Sequence, residues 1–148
     1  GFPRTHRVET IIRLDPAAAV TVTNEWPTPI TWQGFEVGNA MYNGQELIDA
    51  PQENPVRRAY ELRPFRGGNS LDHGKPNHDL ATVLLAARGP QPEHWAVVDT
   101  GRVLIDSDGG TEWLLHDRPK QHRYVVIKEH PRVLQEIIGE LLAAVPRK

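Results

Sequence analysis

The sequence predicts an α/β chain with a small antiparallel β segment late in its course and a C-terminal helix. Three observations carry this. Helical apolar spacings alternate with short strand-like runs through the first half. Four strand-like runs crowd residues 94–130, separated by polar, Gly-containing or Pro-containing breaks. The final segment, "HPRVLQEIIGELLAAVP", repeats apolar residues at helical spacing.

The elements follow in order. "LDPAAAVTVTNEWP" (14–27) reads as a helix, because Asp15 is a good N-cap, Pro16 fits the first helical position and Pro27 ends the run. Its β-branched Val20, Thr21, Val22 and Thr23 pull the other way, toward strand. "PITWQGFEVG" (29–38) reads as a short strand leading into a glycine-bounded loop. "NPVRRAYELRPF" (54–65) reads as a helix that begins near Asn54 and stops before Pro64. "RGGNSLDHGKPN" (66–77) reads as a polar, Gly-rich loop.

"HDLATVLLAARG" (78–89) is the next helix. Leu80, Val83, Leu84 and Ala87 recur at helical spacing, Leu85 and Ala86 widen the stripe, and Gly89 is a natural stop. "HWAVVDTG", "RVLIDSDGG", "TEWLLHD" and "HRYVVIKEH" are the four strands of a hairpin-rich segment, with a turn at Gly101. In the last helix Val133, Ile137, Leu141 and Val145 repeat every four residues, with Leu134, Ile138 and Leu142 beside them and Pro131 at the start.

Composition bounds the function classes. The chain has 148 residues, the size of one domain, and is 39% hydrophobic, enough for a core. Seventeen basic against 19 acidic residues give a net charge of −2, with no long basic run, which argues against binding nucleic acid through its phosphates. The absence of cysteine excludes disulfide scaffolds, thiolate metal sites and thiol catalysis. No stretch approaches the roughly 20 apolar residues of a membrane span, and no signal peptide is visible. The expectation is a cytoplasmic protein without a membrane partner. The opening "GFPRTHRVET" lacks an initiator Met, so the expectation is a cut chain or a fragment: one domain over 1–148, incomplete at its N-terminal side.

Three constellations could carry chemistry. The first is His78–Asp79 at the mouth of an apolar helix. Local physics offers capping: Asn77 would cap, and Asp79 in the first turn would meet the positive end of the helix dipole. The functional alternative makes Asp79 a hard oxygen ligand for Ca²⁺ or Mg²⁺ and His78 a proton donor near neutral pH. Asp72 and His73 lie close by, so a metal-dependent hydrolase built on Asp72, His73, His78 and Asp79 is a further alternative. A His-Asp phosphohydrolase needs an all-α frame, which the strands oppose. The second constellation is Glu9 with Asp15, where capping accounts for Asp15. The third, Asp106 and Asp108 before Gly109-Gly110, reads as a hairpin turn. Trp26, Trp32, Trp95 and Trp113 read as core or edge packing.

Together, "VETIIRLDPAAAV", "PITWQGFEVGNAMYNGQEL", "NPVRRAY", "NHDLATVLLAARG" and the tail from "GRVLIDSDGGTEWLL" onward resemble the C-terminal half of the inosine-uridine-preferring nucleoside hydrolases, in a bacterial branch. The resemblance lies in the order and spacing of these segments and covers most of the chain. It implies a Rossmann-like α/β fold and Ca²⁺-dependent hydrolysis of the N-glycosidic bond of ribonucleosides, and it leaves room for a homo-oligomer. It implies that Asp79 binds Ca²⁺ and ribose, that His78 protonates the leaving base, and that Glu9 contacts ribose. Two departures stand out. The family's N-terminal Asp-rich cluster, which supplies the base and most metal ligands, has no counterpart in Gly1–Leu14, and Ile11 stands where the family has a ribose-binding Asn. This chain alone is therefore expected to be inactive, either as part of an enzyme or as a degenerate binding protein of the same fold.

Overall fold

The computed structural model describes residues 8–115 and 121–144. In chain order the elements are α1 (Thr10–Leu14), α2 (Pro16–Glu25), β1 (Ile30–Gln33), α3 (Phe35–Asn39), β2 (Tyr42–Asn43), a 3₁₀ turn (Gln45–Leu47) and α4 (Pro55–Leu62). There follow β3 (Pro64–Phe65), β4 (Gly68–Asn69), α5 (Ser70–His73), β5 (Lys75–Pro76), α6 (His78–Arg88), β6 (Trp95–Val98), β7 (Gly101–Ile105), β8 (Thr111–Leu115), β9 (His122–Ile127) and α7 (Pro131–Ala143). The class is mixed α/β, as expected, with open and small sheets. The ends of two expected elements, His116–Asp117 and Val145–Pro146, lie outside the described residues. Among the described residues no helix is long and apolar enough to cross a membrane.

The described residues divide into two units, one within Gly1–Glu36 and Trp95–Val126, the other within Val37–His94 and Ile127–Lys148. The first unit is built on a three-stranded sheet in the order β1-β9-β6. β1 pairs parallel with β9, Ile30 opposite His122 and Gln33 opposite Val125. A separate antiparallel pair, β7 with β8, sets Gly101 opposite Leu115 and Ile105 opposite Thr111. The late strands therefore do not form one run of hairpins. β9 carries a continuous apolar stretch, with Tyr124 and Val125 buried, and such a run suits a strand covered on both faces of a parallel sheet. The Asp106 turn is as expected: Asp106 Oδ1 accepts from the N–H of Asp108 at 2.9 Å and of Gly110 at 2.8 Å, closing the β7–β8 hairpin.

α2 forms despite its β-branched run. Asp15 Oδ1 accepts from the Ala18 N–H at 2.9 Å, and Pro16 takes the first position. The Thr21 and Thr23 hydroxyls donate to the carbonyls of Ala17 and Ala19, so both side chains are satisfied within the helix. Val103, Ile105 and Tyr124 centre this unit's core, and Ala19, Val20 and Trp32 pack against them. Trp113 meets Tyr124 edge to face at 4.8 Å between ring centres.

The second unit packs α4, α5, α6 and α7 with short strand pairs. Its core centres on Leu47, Ala50 and Leu71, with Val56, Tyr60 and Leu142 against it. α4 begins just after Asn54, as expected, and Asn54 caps it, accepting from the N–H groups of Val56 and Arg57. Two expected loops are structured. Residues 35–39 form α3. Residues 64–69 form a hairpin that turns through Arg66 and Gly67, both at positive φ (51° and 82°), which a two-residue turn of this hand requires. Asn69 and Asp72 then make a reciprocal capping box that starts α5.

The two long helices sit rotated from the expected stripes. α6 buries Ala81, Leu84 and Leu85 and leaves Val83 65% exposed. α7 buries Leu134, Ile138 and Gly139, while Val133 and Leu141 face outward. Both sequences are apolar around much of the helix, so periodicity offered more than one face and tertiary contacts chose between them.

Candidate functional site

The His78–Asp79 pair occupies the first turn of α6, and the chain entering that turn is tightly held. The N–H of Asn77 is shared between the carbonyls of Gly38 at 3.0 Å and Met41 at 3.1 Å. The Asn77 carbonyl accepts the first helical bond, from Ala81 N–H at 2.9 Å. Gly38 presses directly on the turn: a Cβ there would lie 2.4 Å from His78 Cα and 2.6 Å from its N. Only glycine allows backbone to approach backbone this closely.

The capping reading fails for Asn77. It sits at the N-cap position, yet its side chain makes no bond to the first turn. The residue is fully buried, and its amide donates instead to Asn43 Oδ1. Asn43, also buried, commits its own amide protons to the Gln135 carbonyl at 3.0 Å and to the Glu46 carboxylate. That commitment fixes which way both amides point, because either flip would set oxygen against oxygen. It leaves Asn77 Oδ1 buried with no hydrogen-bond partner among the described residues.

Asp79 is exposed, and no hydrogen bond or ion pair joins it to another described residue. Its carboxylate stands at the positive end of an 11-residue helix, an arrangement favourable by about 0.3–1 kcal/mol. His78 is half-buried beside it. The pair thus offers an accessible carboxylate next to a partly shielded imidazole, a fit for gripping hydroxyls or a hard cation and for moving a proton.

The other candidates are placed differently. Asp72 and His73 lie on α5, where Asp72 is engaged in the capping box with Asn69. Among the described residues no three His, Asp or Glu side chains converge to hold a metal ion, so Asp72, His73, His78 and Asp79 do not form a ligand set by themselves. Glu9 is half-buried at the N-cap of α1 in the first unit, with its carbonyl accepting from Arg13 N–H at 2.9 Å and its side chain making no cap bond. Ile11 is 80% exposed on the same short helix, and Leu14 79%.

Sequence reasoning missed Gly38 and Asn43. Gly38 gave a faint signal, a glycine inside an otherwise helix-compatible "FEVGN". Asn43, before a glycine in "YNG", carries no local signal of its burial. Burial of His122, which lowers its pKa, was also not foreseen; Arg102's charge adds to the effect and a bond to the Thr23 backbone opposes it.

No protein-family model, no curated protein and no solved structure matches this chain.

Proposed function

We propose that this chain is the C-terminal part of a nucleoside N-ribohydrolase on a Rossmann-like frame, with Asp79 and His78 as its contribution to the site. The observation that carries the reading is the first turn of α6: an exposed Asp79 carboxylate with no partner among the described residues, next to His78, on a turn that Gly38 and Asn77 hold in place. The parallel β1–β9 pair is compatible with that frame. The order of the sequence landmarks supports it further.

In the proposed reaction water attacks the anomeric carbon of ribose and gives up one proton, which restores the proton His78 donates. The C–N bond breaks, its electron pair leaves on the base, and the base takes up a proton. Asp79 accepts hydrogen bonds from ribose hydroxyls, and its charge favours the oxocarbenium-like transition state. His78 supplies the proton to the departing base. Ca²⁺ belongs to this proposal too, but the ion takes about six to eight oxygens, and the described residues do not make its site by themselves. Asp79 is the one ligand assigned to it here.

Ile11 favours a second reading, a degenerate relative that keeps the fold and binds without hydrolysis, since an apolar side chain makes no hydrogen bond to ribose. Ribose release from inosine and uridine by the full-length polypeptide, with and without added Ca²⁺, separates the two. Ca²⁺-dependent release that Asp79→Ala abolishes supports the enzyme. Release unchanged in Asp79→Ala removes Asp79 from the site, and no release by the wild type leaves the degenerate reading.

A further inference from the structure

We infer that Asn77 is a positioning residue: through its buried amide bond to Asn43 it sets the direction in which α6 presents His78 and Asp79. The inference rests on the proposed function of that turn.

Asn is among the residues that commonly cap a helix from this position through the side-chain oxygen. The chain forgoes that bond. It places instead a fully buried amide whose donor reaches Asn43 and whose Oδ1 is left without a partner among the described residues. The unpartnered buried Oδ1 is unfavourable for local stability, and buried polar groups that break a local rule are found at functional sites.

What the arrangement achieves is orientation. Asn43 is anchored to α7 through the Gln135 carbonyl and to the 3₁₀ turn through Glu46. α7 closes on this network without a side chain, since a Cβ on Gly139 would stand 3.0 Å from Asn43 Nδ2 and from Glu46 Oε1. Asn77 is held by its side chain to Asn43 and by its N–H to the Gly38 and Met41 carbonyls. The residue directly before His78 is therefore fixed from two directions, and Asp79 follows one position later on the same turn. Groups hydrogen-bonded to a metal ligand typically change affinity or activity by about 10–100-fold when lost, and Asn77, which acts on the ligand turn through the backbone instead, is expected to act on the same scale.

The test uses the full-length polypeptide and its Asn77→Ser, Asn43→Ala and double variants. Ribose release from inosine is measured at saturating Ca²⁺, with the folded fraction taken from circular dichroism, so that kcat refers to folded protein. The expected result is a fall in kcat of about 10–100-fold in each single variant, a smaller change in KM, and no further loss in the double variant, because both act through one bond. Asn43→Ala leaves the α6 turn itself unaltered and carries the test where Asn77→Ser folds poorly. Variants that lose stability but keep wild-type kcat per folded molecule, or losses that multiply in the double variant, overturn the positioning role and leave the proposed function standing. Absence of release by the wild type overturns the proposed function, and Asn77's role with it.

Discussion

Gly38 and His78 meet backbone to backbone: a Cβ on Gly38 would fall 2.4 Å from His78 Cα and from its Nδ1. A methyl group cannot be absorbed by swinging a flexible side chain aside, since the nearest atoms include His78 N and Cα. Gly38→Ala is expected to lower stability by about 1–3 kcal/mol, the usual range for overpacking a well-filled site. The urea midpoint of the 148-residue chain checks this. An unchanged midpoint would show that the α6 turn can move away freely.

His122 predicts a pH dependence. The Val103 N–H donates to its Nδ1 at 3.1 Å, so in the folded chain the ring is neutral, with its proton on the other nitrogen. Burial is the main cause that lowers its pKa below the ordinary 6.5. Between that lowered value and 6.5 the unfolded chain binds more protons than the folded one, so stability rises with pH through this window. His122's contribution is complete above 6.5 and is lost progressively as pH falls below it. Asn at this position still presents an oxygen to Val103 and does not titrate. The melting temperature of His122→Asn is therefore expected to fall less steeply than that of the wild type between about pH 6.5 and 5. Equal slopes would remove His122 as the cause.

Asp79 should be almost silent in stability. It is exposed and makes no hydrogen bond or ion pair with another described residue. Asp79→Asn removes only its interaction with the helix dipole, a loss of less than about 1 kcal/mol. Denaturant unfolding of the 148-residue chain checks it. A loss several times larger would mean that Asp79 holds the fold together, and would count against its proposed role in binding a ligand.

Local chemistry was legible where a residue acts on its near neighbours. Asp15 caps α2 and Asn54 caps α4 because both reach only two or three residues ahead. Gly89 ends α6 at φ 72° for the same kind of reason. Asn77 broke the pattern. Its bond partner, Asn43, lies 34 positions away, and nothing local announces that an amide will prefer a buried neighbour to the helix end it precedes. The loop expected over 66–77 failed for a related reason: Asn69 and Asp72 read as polar loop residues singly and as a helix start only as a pair.

By itself the sequence determined the mixed α/β class, the positions of the main helices and strands, and the placing of His78 and Asp79 at a helix start, because caps, breakers and apolar spacing act over a few residues. Only the tertiary structure decided which face of α6 is buried, that β9 joins β1 in parallel rather than continuing a hairpin, and that Asn77 turns to Asn43 and leaves Asp79 at an uncapped helix mouth. Those outcomes depend on which distant groups are brought within hydrogen-bonding or packing distance, and chain folding alone sets that.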